Sequence, residues 1–257
     1  TYCDYRWHLT PTRFSDINYS DIGRWIEKGF STIKFYTTYK QQNLYLTYEK
    51  LTEVIRRLKK FEPQFIVHCE DETIMNQIHL GFEKIKNPAN YSLIHNEESE
   101  LAAVERVIQI CSNTQTSILI AHVSSSDAFG QIELAKKHCA ISCETSPHYI
   151  FLNDTLLEGN QGYRYLNSPP LRSEECRHLM EVKVSMSYPE ILSSNHKTYF
   201  DNDYEEHKSD FRALPKGISS LGALFPLFYD LLIKKYKWEL PKLMQKFSVN
   251  PATLAKI

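Results

Sequence analysis

The sequence predicts an α/β fold, a barrel of parallel strands covered by helices, and three observations predict it. Short β-branched runs alternate with amphipathic helical stretches, the pattern of βα units around a parallel sheet. Three of those runs, Ile33-Lys34-Phe35-Tyr36-Thr37-Thr38-Tyr39, Val67-His68-Cys69-Glu70-Asp71 and Ala121-His122-Val123-Ser124-Ser125, each end on a group able to hold a divalent metal. Barrel strands deliver ligands from their carboxyl ends in this way. The length, 257 residues, accommodates one large barrel.

Taken in order, the strand candidates are residues 32–36, 64–68, 117–123, 140–144 and 190–194. Between the first two, residues 47–61 set Tyr48, Leu51, Val54, Ile55 and Leu58 at helical spacing, while Glu49, Glu53, Arg56, Arg57 and Lys59 face away. That is an outer-layer helix. Residues 98–111 repeat the pattern with Leu101, Val104, Val107 and Ile108, and residues 125–138 form the helix between the third and fourth strands. No linker rich in Gly, Pro or Ser divides the chain, and no repeat appears beyond the βα alternation, so one domain over residues 1–257 is expected. Two irregular segments remain: residues 163–173, containing Asn167-Ser168-Pro169-Pro170-Leu171-Arg172, and the polar stretch 196–217. Loops after barrel strands supply substrate contacts. The first is a candidate for them; the second reads as a solvated connector except at its two ends.

Charge and composition exclude some functions. With 30 Lys+Arg against 31 Asp+Glu the formal charge is -1, so there is no basic field for a phosphate backbone or an anionic membrane surface. The six cysteines include no CxxC pair, and several lie in apolar runs where a reduced thiol behaves as a small hydrophobe. A reducing, cytoplasmic setting is expected. No apolar stretch is long enough to span a bilayer, and the amino end shows no basic region followed by an apolar one.

Lys34 stands inside an apolar strand, where an ammonium must be paired, neutral or modified. Taken alone it reads as a lysine snorkelling from a strand end. His68 and His122 change that balance, because each closes an apolar strand that carries an imidazole to the rim, and neutral imidazole is the commonest metal ligand. Glu70, Asp71 and Ser124 are candidates for fixing the ring orientations.

These strings, together with Cys3-Asp4-Tyr5-Arg6-Trp7-His8, Cys143-Glu144-Thr145-Ser146-Pro147-His148-Tyr149, Ser168-Pro169-Pro170-Leu171-Arg172 and Asn250-Pro251-Ala252, resemble the dihydropyrimidinase and hydantoinase branch of the cyclic amidohydrolases, within the amidohydrolase superfamily. Their order and spacing run through almost the whole chain. The resemblance implies a (β/α)8 TIM-type barrel with two zinc ions bridged by a carbamylated lysine and a hydroxide that attacks a cyclic amide. Lys34 matches the bridging lysine, and a carbamate there would turn a buried amine into an anion able to span two cations. His68 and His122 match imidazole ligands of the second metal. Tyr39 matches the tyrosine that stabilises the oxyanion, and Ser168 matches a substrate-contacting residue. A homo-oligomer, usually a tetramer, follows from the same resemblance.

The departures are as specific. Asn195 stands where the family carries the metal-binding aspartate that also serves as general base, and an amide neither supplies negative charge nor accepts the proton of an attacking water. Glu190 and His196 are near in sequence but do not occupy that position. The first-strand His-x-His pair is absent, and His8 aligns with a different strand. Lys216 stands where a substrate-contacting asparagine is usual. The barrel is therefore expected to be incomplete, without the family's first strand and flanking β-sandwich, and to expose sheet edges unless something covers them. Two functions are expected from this set: zinc-dependent hydrolysis of a small cyclic imide or ureide, or, as the alternative, a catalytically inactive scaffold or binding protein of the same family. Retention of Lys34, His68, His122 and Tyr39 favours the first, and Asn195 the second.

Overall fold

The computed structural model describes residues 5–12, 18–82, 87–205 and 213–257. Cys3 and Asp4 of the first matching string, and residues 206–212 of the polar stretch, lie outside the described residues.

Five strands form one parallel sheet in sequence order: β1 Thr32–Tyr36, β2 Gln64–His68, β3 Ile118–Ile120, β4 Ile141–Thr145 and β5 Ile191–Leu192. Single parallel bridges extend the pattern, Leu9 with Ile33 beside β1 and His196 with Ile218 after β5. Sequential parallel order with helices between neighbours is the architecture of a (β/α) barrel. The helices are α1 Tyr19–Glu27, α2 Tyr48–Leu58, α3 Glu72–Phe82, α4 Tyr91–Ile94, α5 Glu97–Thr114, α6 Ser126–Ala135, α7 His148–Phe151, α8 Glu174–Ser185, α9 Asp201–Glu205, α10 Leu221–Phe228, α11 Leu240–Met244 and α12 Asn250–Ala255.

Short polar side chains start the layer helices by satisfying orphan amide groups of the first turn. Thr47 accepts from Lys50 N at α2, Asn96 from Ser99 N at α5, Ser125 from Ala128 N at α6, and Ser173 from Cys176 N at α8. The expected stripe of α2 is buried at Leu51, Val54, Ile55 and Leu58. It packs with Ile33, Phe35, Phe65 and Val67 from the outward face of the sheet.

The opposite face decides where the chemistry lies. Residues paired across parallel strands point the same way, and the register sets Lys34 beside Ile66, Ile66 beside Leu119, and Tyr36 beside His68. Ile66, Leu119, Ala121 and Ile191 form a separate inner cluster, against which Leu254 of α12 packs. Lys34 and His68 therefore share the inner face, above an apolar floor.

Two strands are shorter than the sequence pattern suggests. β3 ends at Ile120 because His122 takes a left-handed backbone (φ 40°), which breaks the ladder. β5 holds only Ile191 and Leu192 before the chain turns toward Asn195 (φ 41°). Residues 163–173 include a 3-10 turn, Gly162–Tyr165, and then run irregularly to α8.

Candidate active site

β2 and the segment after β3 bring two imidazoles into contact. His68 Nδ1 and His122 Nε2 face each other at 3.0 Å, with ring centroids 4.7 Å apart, and both side chains are buried. Burial pushes the His68 pKa down against the opposing pull of Glu70. Burial, then the nearby His68 and Lys34, holds His122 well below the usual histidine range. Both rings are therefore neutral at physiological pH, the state in which imidazole ligates a metal. His122 Nδ1 is buried and has no hydrogen-bond partner among the described residues.

Lys34 joins this pair electrostatically. Its pKa is lowered, first by burial, with Glu144 opposing and Lys197 adding to the effect. Glu144 follows the inward alternation of β4 and its Oε1 accepts from the backbone N of His122 at 3.3 Å.

Glu70 is the hub beneath the site. Its Oε2 lies 2.6 Å from His68 Nε2 and accepts from Ser168 Oγ at 2.9 Å, while Oε1 lies 2.7 Å from His95 Nδ1. The carboxylate is wholly buried. Burial alone would raise its pKa, but His95 and the hydrogen bond from His68 outweigh that and hold it well below the carboxylate range. The hydroxyls of Tyr39 and Ser168 touch, and the Tyr39 ring lies 5.0 Å from that of His68. Burial, then Glu70, raises the Tyr39 pKa, so its phenol stays protonated and able to donate.

Of the three residues expected to orient rings, only Glu70 does so. Asp71 instead accepts from Tyr48 Oη at 2.7 Å and from the amides of Thr73 and Ile74, starting α3. Ser124 donates to Glu100 Oε2 at 2.6 Å and accepts from Arg172 Nε at 2.9 Å, tying the loop after His122 to that carrying Ser168. His196, set aside on sequence, accepts from the amides of Ser220 and Leu221 through Nδ1 at the start of α10. Glu190 is taken up by Lys136 and the amide of Cys143. Asn195 buries an Nδ2 with no partner among the described residues. Lys216 Nζ donates to Leu214 O at 2.9 Å and lies over the Tyr91 ring.

The sequence reading missed Glu144, Lys197 and His95. The period-two alternation of β4 carries a signal for Glu144; His95, at the carboxyl end of the four-residue α4, has none. Beside Tyr39 opens a cavity of about 340 Å³, to which Tyr91, His95, Lys216, Glu72 and His79 contribute. Among the described residues no group of three or more His, Cys, Asp or Glu could hold a metal. The paired imidazoles supply two neutral donors of the kind zinc takes and need an anionic third. Lys34 qualifies only if its amine is converted to an acid.

No protein-family model matches the chain. A dihydroorotase of Ligilactobacillus salivarius is 28% identical over 155 residues, covering 60% of this chain and 35% of that protein. A D-phenylhydantoinase of Escherichia coli is 23% identical over 258 residues, covering 98% of this chain and 55% of that protein. The chain thus spans about half or less of the length of these curated relatives. Among solved structures, a D-hydantoinase (dihydropyrimidinase) from Thermus sp. superposes with a TM-score of 0.92 at 20% identity, over 99% of this chain and 56% of that one. A dihydropyrimidinase from Brevibacillus agri gives 0.90 at 24%, over 98% and 56%. Among the described residues no helix is long and apolar enough to cross a membrane. Sequence and fold together show that this chain resembles the dihydropyrimidinase and hydantoinase branch of the cyclic amidohydrolases, with dihydroorotases matching a shorter stretch at somewhat higher identity.

Proposed function

We propose that this chain carries the barrel site of a metal-dependent hydrolase that opens a cyclic imide or ureide of the hydantoin or dihydropyrimidine type. One observation carries the reading: His68 Nδ1 and His122 Nε2 converge at 3.0 Å on the inner face that Lys34 shares. An unprotonated Lys34 amine can add to carbon dioxide, releasing one proton and leaving a carbamate. The lowered pKa of Lys34 keeps more of its amine in the unprotonated form that reacts, and bound cations would pair the carbamate's charge. Zinc, when bound by Lys34 carbamate, His68 and His122, would polarise a carbonyl and lower the pKa of water.

The remaining work falls to this chain's own side chains. Tyr39 donates its phenolic proton in a hydrogen bond to the carbonyl oxygen as negative charge grows there. Removing one such donor typically costs about 100- to 1,000-fold in rate. Ser168 bridges Tyr39 and Glu70 and so sets the phenol's direction. Lys216, at the cavity wall, contacts the ring's substituent. Asn195 cannot take the proton of water, which slows the reaction relative to an aspartate in its place.

The test is zinc content of protein purified with carbon dioxide present, with hydantoin and dihydrouracil as substrates. The reading expects at least one zinc per chain, lost in His68→Ala and in His122→Ala, and ring opening that follows zinc content. Protein that binds no zinc and opens neither ring would overturn it and leave the scaffold alternative that Asn195 favours.

A further inference from the structure

Glu70 serves a second imidazole that no part of the metal reading uses. His95 presents Nδ1 to Glu70 Oε1 at 2.7 Å, and its ring stacks on Tyr91 at a centroid distance of 4.2 Å and 28° between planes. Arg172 donates to the backbone carbonyl of His95, fixing the main chain as well. The ring is held on one face, at one nitrogen and through its backbone. Its other nitrogen, Nε2, makes no hydrogen bond among the described residues, and His95 lines the cavity that Tyr39 also lines.

We infer that His95, oriented by Glu70, is a proton-transfer residue for a ligand bound in the cavity beside Tyr39, filling the acid–base role that Asn195 cannot. The substrate rests on the hydrolase reading above; the geometry of the pair does not. A carboxylate offers hydrogen-bond acceptors at both oxygens; Oε2 is taken by Ser168 and His68, and the 2.7 Å contact at Oε1 puts the shared proton on His95 Nδ1. That leaves the Nε2 lone pair free toward the cavity, the arrangement of a carboxylate-held general base. The step balances without another reactant. Nε2 takes a proton from water as the new C–O bond forms, and the carbonyl electron pair moves onto the oxygen that receives the Tyr39 hydrogen bond. As the C–N bond breaks, the same proton passes from Nε2 to the departing ring nitrogen.

The charged and titratable groups that face His95 are Glu70 and Tyr91 in contact with it, Arg172 at its carbonyl, and Lys216, Glu72 and His79 around the cavity. The first experiment is pH–rate analysis of hydantoin opening by zinc-loaded wild type, His95→Gln, Asn195→Asp and the double variant His95→Gln/Asn195→Asp. His95→Gln should lower kcat by about 100- to 10,000-fold with KM changed far less, and should alter the pH dependence of kcat. Asn195→Asp should raise the rate by a larger factor in the His95→Gln background than in wild type, a non-additivity that a merely structural role of His95 would not produce. Wild-type kcat and pH profile in His95→Gln, or no larger factor in the double variant, would overturn the assignment. A second measurement does not depend on turnover: nitrogen-15 shifts of the His95 ring should show the proton on Nδ1 at neutral pH, a preference lost in Glu70→Leu, which removes the acceptor. A ring protonated only on Nε2 in wild type sinks the assignment even if the enzyme is active. A wild type inactive on both rings but with the Nδ1 proton in place fails the hydrolase reading while His95 keeps its tautomer.

Discussion

Arg172 Nη2 meets Glu100 Oε2 at 3.0 Å with both side chains almost wholly enclosed, and Ser124 bonds to both partners. Three segments are joined there: the start of α5, the loop that follows His122, and the loop that carries Ser168. The network is thus the frame on which the inner-face donors are spaced. Breaking a buried pair by removing one partner leaves an uncompensated charge, which costs about 3–5 kcal/mol. Arg172→Met should therefore lower unfolding stability by that amount in urea titration. Arg172→Met combined with Glu100→Leu should recover much of it. Equal stabilities for wild type and the single variant would show that the pair carries no net energy.

His148 gives a pH dependence with a definite sign. It is buried at the start of α7, its Nε2 accepts from Asn167 Nδ2 at 3.0 Å, and burial pushes its pKa down to about 3. The folded ring stays neutral where the unfolded ring, near 6.5, takes a proton. Stability from this group is thus complete above about pH 6.5 and lost as pH falls from there toward 3, at about 1.4 kcal/mol per pH unit. His148→Gln should remove one increment of that slope from urea unfolding measured between pH 4 and 7, leaving the contributions of His8, His68 and His122. An unchanged slope would place His148 in a solvated or paired state.

Two glycines should respond to alanine in opposite ways. A Cβ at Gly217 would come within 2.3 Å of Lys197 Cβ, the rigid root of a side chain, so backbone must shift. Overpacking of this kind costs about 1–3 kcal/mol. Gly222, in the first turn of α10, has nothing within 4 Å of the added atom, and Gly222→Ala should stabilise by up to about 0.5 kcal/mol through helix propensity. Thermal unfolding of the two variants checks both signs. A destabilised Gly222→Ala would mean that α10 is covered by something that fills that space.

Much of this architecture was legible from periodicity. The strands at 32–36 and 64–68 appear as predicted, because each is a β-branched and aromatic run that pairs with the other over all five residues. The ends of β3 and β5 were not legible, since the left-handed turns at His122 and Asn195 occur at residues whose type does not demand them. That His68 and His122 close neighbouring strands was legible, but the register stops at Val67 with Ile120, and the 3.0 Å approach of the two rings depends on the turn at His122. The roles of Ser124, Asp71 and His95 depend on which distant loops pack together, Ser124 reaching Arg172 and His95 reaching Glu70, and no spacing in the sequence encodes those contacts.

The sharpest test of the site is Asn195→Asp. Asn195 follows β5 with a left-handed backbone that Asn and Asp tolerate alike, so the exchange adds no backbone strain. Its buried Nδ2 lacks a partner, so replacing that atom by oxygen breaks no hydrogen bond among the described residues. The new carboxylate would stand two residues before Lys197, whose pKa is lowered by desolvation, and a negative charge beside that amine would raise it toward its ordinary range. It also introduces an acceptor for the proton of water. Because a positioned base contributes about 100- to 10,000-fold, hydantoin opening by zinc-loaded Asn195→Asp should rise by at least about 10-fold over wild type, the remainder being what His95 already supplies. Zinc retention should strengthen in the same variant. If neither rate nor zinc content moves, residue 195 does not face the reacting atoms, and the matching of this position to the family's aspartate is wrong.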